Sequence, residues 1–179
     1  MAKQLIMLPD TGRSIVYAAI VAHLKSDPLL KSVRPAIQWQ TFIDDGPSNQ
    51  TAVENTGLPS INITPVAMPA NQEAQTLQNS PLGMRLIITT PGLDARDALN
   101  LWGAIERALF PGDGSKTLNN SIREALHAGS VQQGKPLGSL QTINLSQPGV
   151  FSGANNPQSG LPSCITADGY IVALMTVPK

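Results

Sequence analysis

Apolar positions recur along this chain at two periods, and the switches between them mark its elements. From Ser14 to Ser26, Val16, Ile20 and Leu24 fall on one stripe at helical spacing with Ala19 beside them, and Asp27-Pro28 closes the segment. Ala36 to Ile43 alternates instead. Ile37, Trp39 and Ile43 share one face against Gln38, Gln40 and Phe42, which predicts a strand ending in the turn Asp44-Asp45-Gly46. The polar stretch from Pro47 to Gly57 has neither period and predicts a loop. Ile61, Ile63 and Val66 against Ser60, Asn62 and Thr64 predict a second strand. Its expected place is a sheet edge, because Pro59 and Pro65 cannot donate ladder hydrogen bonds.

Met68 to Pro81 is polar, with prolines, asparagines and glutamines and little to bury, and predicts a long projecting loop. Met84 to Thr90 is nearly continuous in apolar residues through Leu86, Ile87 and Ile88, the pattern of a central strand covered on both faces. After Pro91-Gly92, Asp94 can cap a helix with Asp97 at its third position. Ala98, Leu101, Trp102, Ile105 and Leu109 give that helix one apolar face, and Phe110-Pro111-Gly112 stops it. A third helix over Thr117 to His127 carries Leu118, Ile122 and Leu126 at fourfold spacing and is expected to end at Gly129. Leu140 to Leu145 and Tyr170 to Val177 alternate as strands, and Ser146 to Ser163 between them, rich in Gly, Pro, Asn and Ser, predicts a second long loop. The expected fold is one α+β domain over residues 1–179. Its sheet is mixed, mainly antiparallel, of about four to five strands, with two to three helices packed on one face.

Composition narrows what such a domain does. Lys plus Arg equal Asp plus Glu at 12 each, so no net field draws the chain onto nucleic acid or an anionic membrane. Charged residues make up only 13% of the chain, against about a quarter in average soluble proteins, which leaves a surface suited to being covered by neighbours. Cys164 is the one cysteine, which excludes an intramolecular disulfide and a Cys-based zinc site and fits a chain kept in a reducing cytosol. The apolar runs Leu5 to Leu8 and Ile15 to Leu24 are too short for a signal core and a membrane span respectively, so neither export by that route nor a membrane role is expected.

Candidate chemistry is thin. Gly112-Asp113-Gly114-Ser115-Lys116-Thr117 opens a helix, but Ser115 intervenes where a phosphate loop needs its lysine, so a turn and helix cap is the better reading. His23 and His127 lie on separate helices without a metal-ligand partner or carboxylate relay. Cys164 lacks a nucleophile's flanking motif and reads as a small buried hydrophobe, and Asp44 and Asp45 alone supply too few oxygens for a hard cation. Trp39 and Trp102 sit on the apolar stripes of their elements and are expected in the core. No catalytic, metal-binding or cofactor-binding residue is assigned, and no enzyme activity or cofactor is expected.

The element order resembles that of the tail terminator (tail completion) proteins of long-tailed bacteriophages. The resemblance is carried by four segments: the opening helix before Asp27-Pro28, the strand Leu58-Pro59-Ser60-Ile61-Asn62-Ile63-Thr64-Pro65, the strand Leu82-Gly83-Met84-Arg85-Leu86-Ile87-Ile88-Thr89-Thr90, and the helix Asp94 to Phe110. It covers most of residues 13 to 177, and the third helix and the Ser146 to Ser163 loop depart from its plainest form. It implies a homo-oligomeric ring, usually a hexamer, made in the host cytoplasm and placed in the virion tail or neck. Such a ring caps the tail tube protein and docks the neck or head-completion protein, with the tail sheath as a further neighbour. DNA passes through without specific binding, and few lysines and arginines suit a lumen that must not grip phosphates. The other readings are a head-completion or neck connector protein, an uncharacterised hydrolase or transferase, and a small-ligand-binding α+β module.

Overall fold

The computed structural model of this chain describes residues 9–40, 57–67, 77–92, 94–112, 118–152 and 164–178. Helix α1 (Gly12–Ser26) starts where Thr11 and Ser14 exchange hydrogen bonds. Ser14 N–H donates to Thr11 Oγ1 at 3.1 Å and Thr11 N–H to Ser14 Oγ at 2.8 Å, satisfying amides that a first turn leaves unpaired. Asp27-Pro28 ends the helix as expected, but the same pair starts a further one, α2 (Pro28–Ser32). Leu30 N–H donates to the Asp27 carboxylate at 3.0 Å, and a proline at the first helical position has no amide needing a partner.

Strand β1 (Gln38–Gln40) runs parallel to β2 (Ser60–Val66), with Gln38 N–H donating to Pro59 O at 2.8 Å. The expectation that β2 is an edge strand is therefore corrected: β1 lies outside it along Ser60–Asn62. Both prolines flank that paired stretch, so neither has to donate to β1 within it, and Pro59 contributes its carbonyl instead.

Strand β3 (Leu77–Pro91) pairs antiparallel with β2 on one side and with β6 (Cys164–Pro178) on the other, and it is central as the apolar run predicts. Two expectations fail here. Leu77–Pro81, assigned to a projecting loop, is already strand, and the last strand begins at Cys164 rather than Tyr170. The two strands stay in register from Leu77 opposite Pro178 to Pro91 opposite Cys164, and this long-range pairing overrides the weak strand propensity of Gln78, Asn79 and Pro81. The remainder of that loop at 68–76, the strand end, turn and loop at 41–56, the partial phosphate-loop sequence at 113–117 and the stretch 153–163 lie outside the described residues.

Helix α3 (Ala95–Leu109) is capped by Asp94, as expected, and stops at Phe110. Helix α4 (Leu118–Gln133) runs past Gly129, where the sequence reading ended it. A Cβ at Gly129 would come within 2.8 Å of Ile15 Cδ1, so this glycine serves close approach to α1 rather than a stop. The stop is Gly134, whose φ of +63° lets its own N–H reach Val131 O at 3.3 Å and Lys135 N–H reach Ser130 O at 3.2 Å. Strand β4 (Ser139–Leu145) follows as expected. The presumed loop after it holds a further short strand, β5 (Gly149–Ser152), against β6. The sheet order is β1-β2-β3-β6-β4 with β5 also on β6, and every described pairing except β1 with β2 is antiparallel.

Sidedness follows from the pleat. Ile61, Ile88 and Ala167 form one cross-strand row and Ile63, Leu86 and Gly169 the next, all on the face that receives the helices. Against that face α1 buries Val16, Ile20 and Leu24, α3 buries Leu101, Trp102 and Ile105, and α4 buries Leu118, Ile122 and Leu126, in one continuous cluster. Each such side chain contributes roughly 1.5–3 kcal/mol. Tyr17 ties α1 to the sheet by donating its hydroxyl to Ile63 O at 2.9 Å, and burial pushes that phenol above its ordinary pKa. Trp102 packs so closely on β6 that a Cβ at Gly169 would come within 2.5 Å of its ring. Trp102→Ala is expected to cost roughly 3–5 kcal/mol and Gly169→Ala about 1–3 kcal/mol. Urea unfolding followed by far-UV circular dichroism checks both, and a change below about 1 kcal/mol for Trp102→Ala would remove the ring from the core.

Candidate assembly surface

The residues singled out for chemistry are dispersed. His23 Nε2 sits 2.9 Å from Ala108 O, so this ring joins α1 to the last turn of α3. His127 is exposed on α4 beside a shallow cleft with Arg123 and Ser139. Cys164 is fully buried at the start of β6. Trp102 is buried within the core as its stripe predicts, whereas Trp39 is only half-buried and packs against it. Asp44 and Asp45 lie outside the described residues. Among the described residues no three His, Cys, Asp or Glu side chains converge in a way that could hold a metal, and no helix is long and apolar enough to cross a membrane.

A groove of about 370 Å³ opens between α2, the end of β3 and α3, with Leu29, Val33, Leu101 and Ala104 as its apolar lining and Asp97, Asn100 and Arg107 on its rim. Arg34 borders it too, but its guanidinium donates to Lys31 O at 2.9 Å and Val33 O at 2.8 Å, at the C-terminus of α2. At the start of α3, hydrogen bonds from Arg96 hold the Asp94 carboxyl below its ordinary pKa. That pair is fully solvated, so its contribution is small; it is present above the unfolded carboxyl pKa and lost as pH falls through the lower folded one.

The most distinctive surface is the outer margin of β6. Residues Ser139 to Ser152 follow this strand as one interrupted edge, β4 along Ile171–Thr176 and β5 along Ile165–Asp168. At the interruption, Ser146 N–H donates to Tyr170 O at 2.9 Å, and Tyr170 N–H donates to Ser146 Oγ at 2.9 Å, so a side chain stands in for a strand carbonyl. The two halves of the margin differ. In β4 the register shifts between Leu140 and Thr142, and Arg123 Nε donates to Leu140 O at 3.4 Å, two features that blunt an edge. In β5 all residues are exposed, with Val150 at 38% and Phe151 at 47%. By register Val150 lies on the helix-covered face and Phe151 on the other.

No Asp, Glu, Lys or Arg occurs between Lys135 and Asp168, so the whole margin is uncharged. The carboxylate that ends this run is itself engaged. Arg85 Nε donates to Asp168 Oδ1 at 3.1 Å and Arg85 Nη2 to Asp168 Oδ2 at 2.6 Å, a bidentate pair across β3 and β6. On the same face Thr89 and Thr166 hydroxyls lie 3.3 Å apart. Sequence reasoning missed the Arg85–Asp168 pair, although its signal was present: single opposite charges inside two otherwise uncharged strands.

No protein-family model and no curated protein matches the chain. Among solved structures, it is similar to a chain from the virion of the native gene transfer agent particle, with a TM-score of 0.49 and 13% identity over 89% of this chain and 92% of that one. A second solved chain has a TM-score of 0.45 and 15% identity over 91% of this chain and 94% of the other. At these scores neither likeness transfers a function.

The Arg85–Asp168 pair is partly buried, with 32% and 19% of the side chains accessible, so its worth lies between a surface and a buried pair. A double-mutant cycle with Arg85→Ala and Asp168→Asn is expected to give a coupling of about 1–2 kcal/mol. Coupling below about 0.3 kcal/mol would make the pair a solvated contact without structural weight.

Proposed function

We propose that this chain is a structural virion protein of a long-tailed, phage-like particle, acting as a tail terminator. Copies assemble into a closed ring that caps the tail tube, offers the neck a docking surface and leaves DNA free to pass. The observation that carries this reading is the character of the surface. A chain with so few charges exposes large apolar side chains at Leu29, Leu99, Phe110, Val131 and Phe151, and has an uncharged sheet margin. Exposed apolar area of this kind is stabilised by contact with other chains. The element order that resembles tail terminators supports the same assignment.

Catalysis has no part in the proposed role. His23 is engaged with a helix carbonyl, Cys164 is enclosed, and His127 is exposed on α4. The deciding experiment adds purified protein to tail tubes assembled without it. Arrested tube length and recovery of head joining are expected, whereas attachment to heads but not to tubes would move the chain to the neck side. In the same assay Cys164→Ser, His23→Gln and His127→Gln are expected to retain full joining activity if folded. Loss of joining by a well-folded Cys164→Ser protein would overturn the non-enzymatic reading.

A further inference from the structure

We propose that β5 is an open docking edge, on which a neighbouring copy of this chain lays an extended, uncharged segment and so continues the sheet from one subunit into the next. This rests on the assembly reading above and names the surface through which it works.

Three observations converge on it. First, among the described residues β5 pairs only with β6, and an unpaired strand edge accepts an extended peptide by main-chain hydrogen bonding. Second, Val150 and Phe151 project to opposite faces and both are exposed, so a strand added beside them covers apolar surface above and below the sheet at once. Third, protection is distributed unevenly. The β4 half of the same margin carries a register shift and the Arg123 contact to Leu140 O, while the β5 half has neither, nor any charged residue of its own. An edge blunted at one end and bare at the other is set up for pairing at the bare end.

Charge selects the occupant. With no charged residue between Lys135 and Asp168, and Asp168 held by Arg85, the edge offers nothing to balance a charged strand, and a buried unpaired charge is costly. A second copy supplies the matching chemistry: residues 35–40, which end in the terminal strand β1, are likewise free of charge. Joining opposite margins of one sheet is a heterologous contact, which closes into a ring when the rotation between subunits allows.

The test uses the full chain in light scattering after size-exclusion chromatography. The wild type is expected at a multiple of the single-chain mass. Val150→Lys/Phe151→Lys is expected to raise the dissociation midpoint at least tenfold with an unchanged far-UV spectrum, while Gln141→Lys, at the register shift of the same margin, leaves assembly intact. A double variant that assembles like the wild type overturns the docking edge and leaves the assembly reading standing; a wild type that is monomeric at every concentration overturns both. If the double variant does not fold, hydrogen exchange on the wild type decides. Amides of residues 149–152 slow in the assembled state if the edge is the joint, and equal exchange in both states overturns it.

Discussion

The pairing of β3 with β6 is the contact on which the rest of the structure depends. The two longest strands lie antiparallel over their full lengths, and each backbone hydrogen bond between them is worth about 0.5–1.5 kcal/mol net. More than stability, this ladder fixes sidedness. Because side chains alternate, a slip of one residue would turn Met84, Leu86 and Ile88 away from the helices and bring Arg85 and Ile87 to them. The Arg85–Asp168 pair and the Trp102 contact with Gly169 sit on opposite faces of the same ladder, so both hold only in this register.

The helices were the most legible part of the chain. Val16, Ile20 and Leu24 in α1, and Leu101, Trp102 and Ile105 in α3, are buried as their periodicity requires, and Asp94 caps where expected. Local chemistry decides these features, and local chemistry is what a sequence displays. The errors cluster where a distant partner decides. Gly129 reads as a terminator until α1 is seen packed against it. Leu77–Pro81 and Cys164–Gly169 lack an obvious strand signature and become strand because Leu174–Pro178 lies opposite the first and Leu86–Pro91 opposite the second.

The candidate surface was less legible still. Nothing in Gly149-Val150-Phe151-Ser152 distinguishes a strand from a loop turn, and its exposure depends on where β4 leaves the margin of β6. The absence of charge over that region was readable, as a compositional fact about a presumed loop. Only the register with β6 turns it into a property of an edge. The isolated arginine and aspartate of β3 and β6 were equally visible and equally uninterpretable before their strands were aligned.

That uncharged margin bears on ionic strength. Contacts between ion pairs on a protein surface weaken as the Debye length shrinks, from ~10 Å at 0.1 M to ~3 Å at 1 M salt. Backbone hydrogen bonds and apolar contacts are not screened in this way, and excluded salts such as sulfate reinforce apolar burial. A joint made along β5 would therefore hold, or tighten, in brines that loosen joints built from ion pairs.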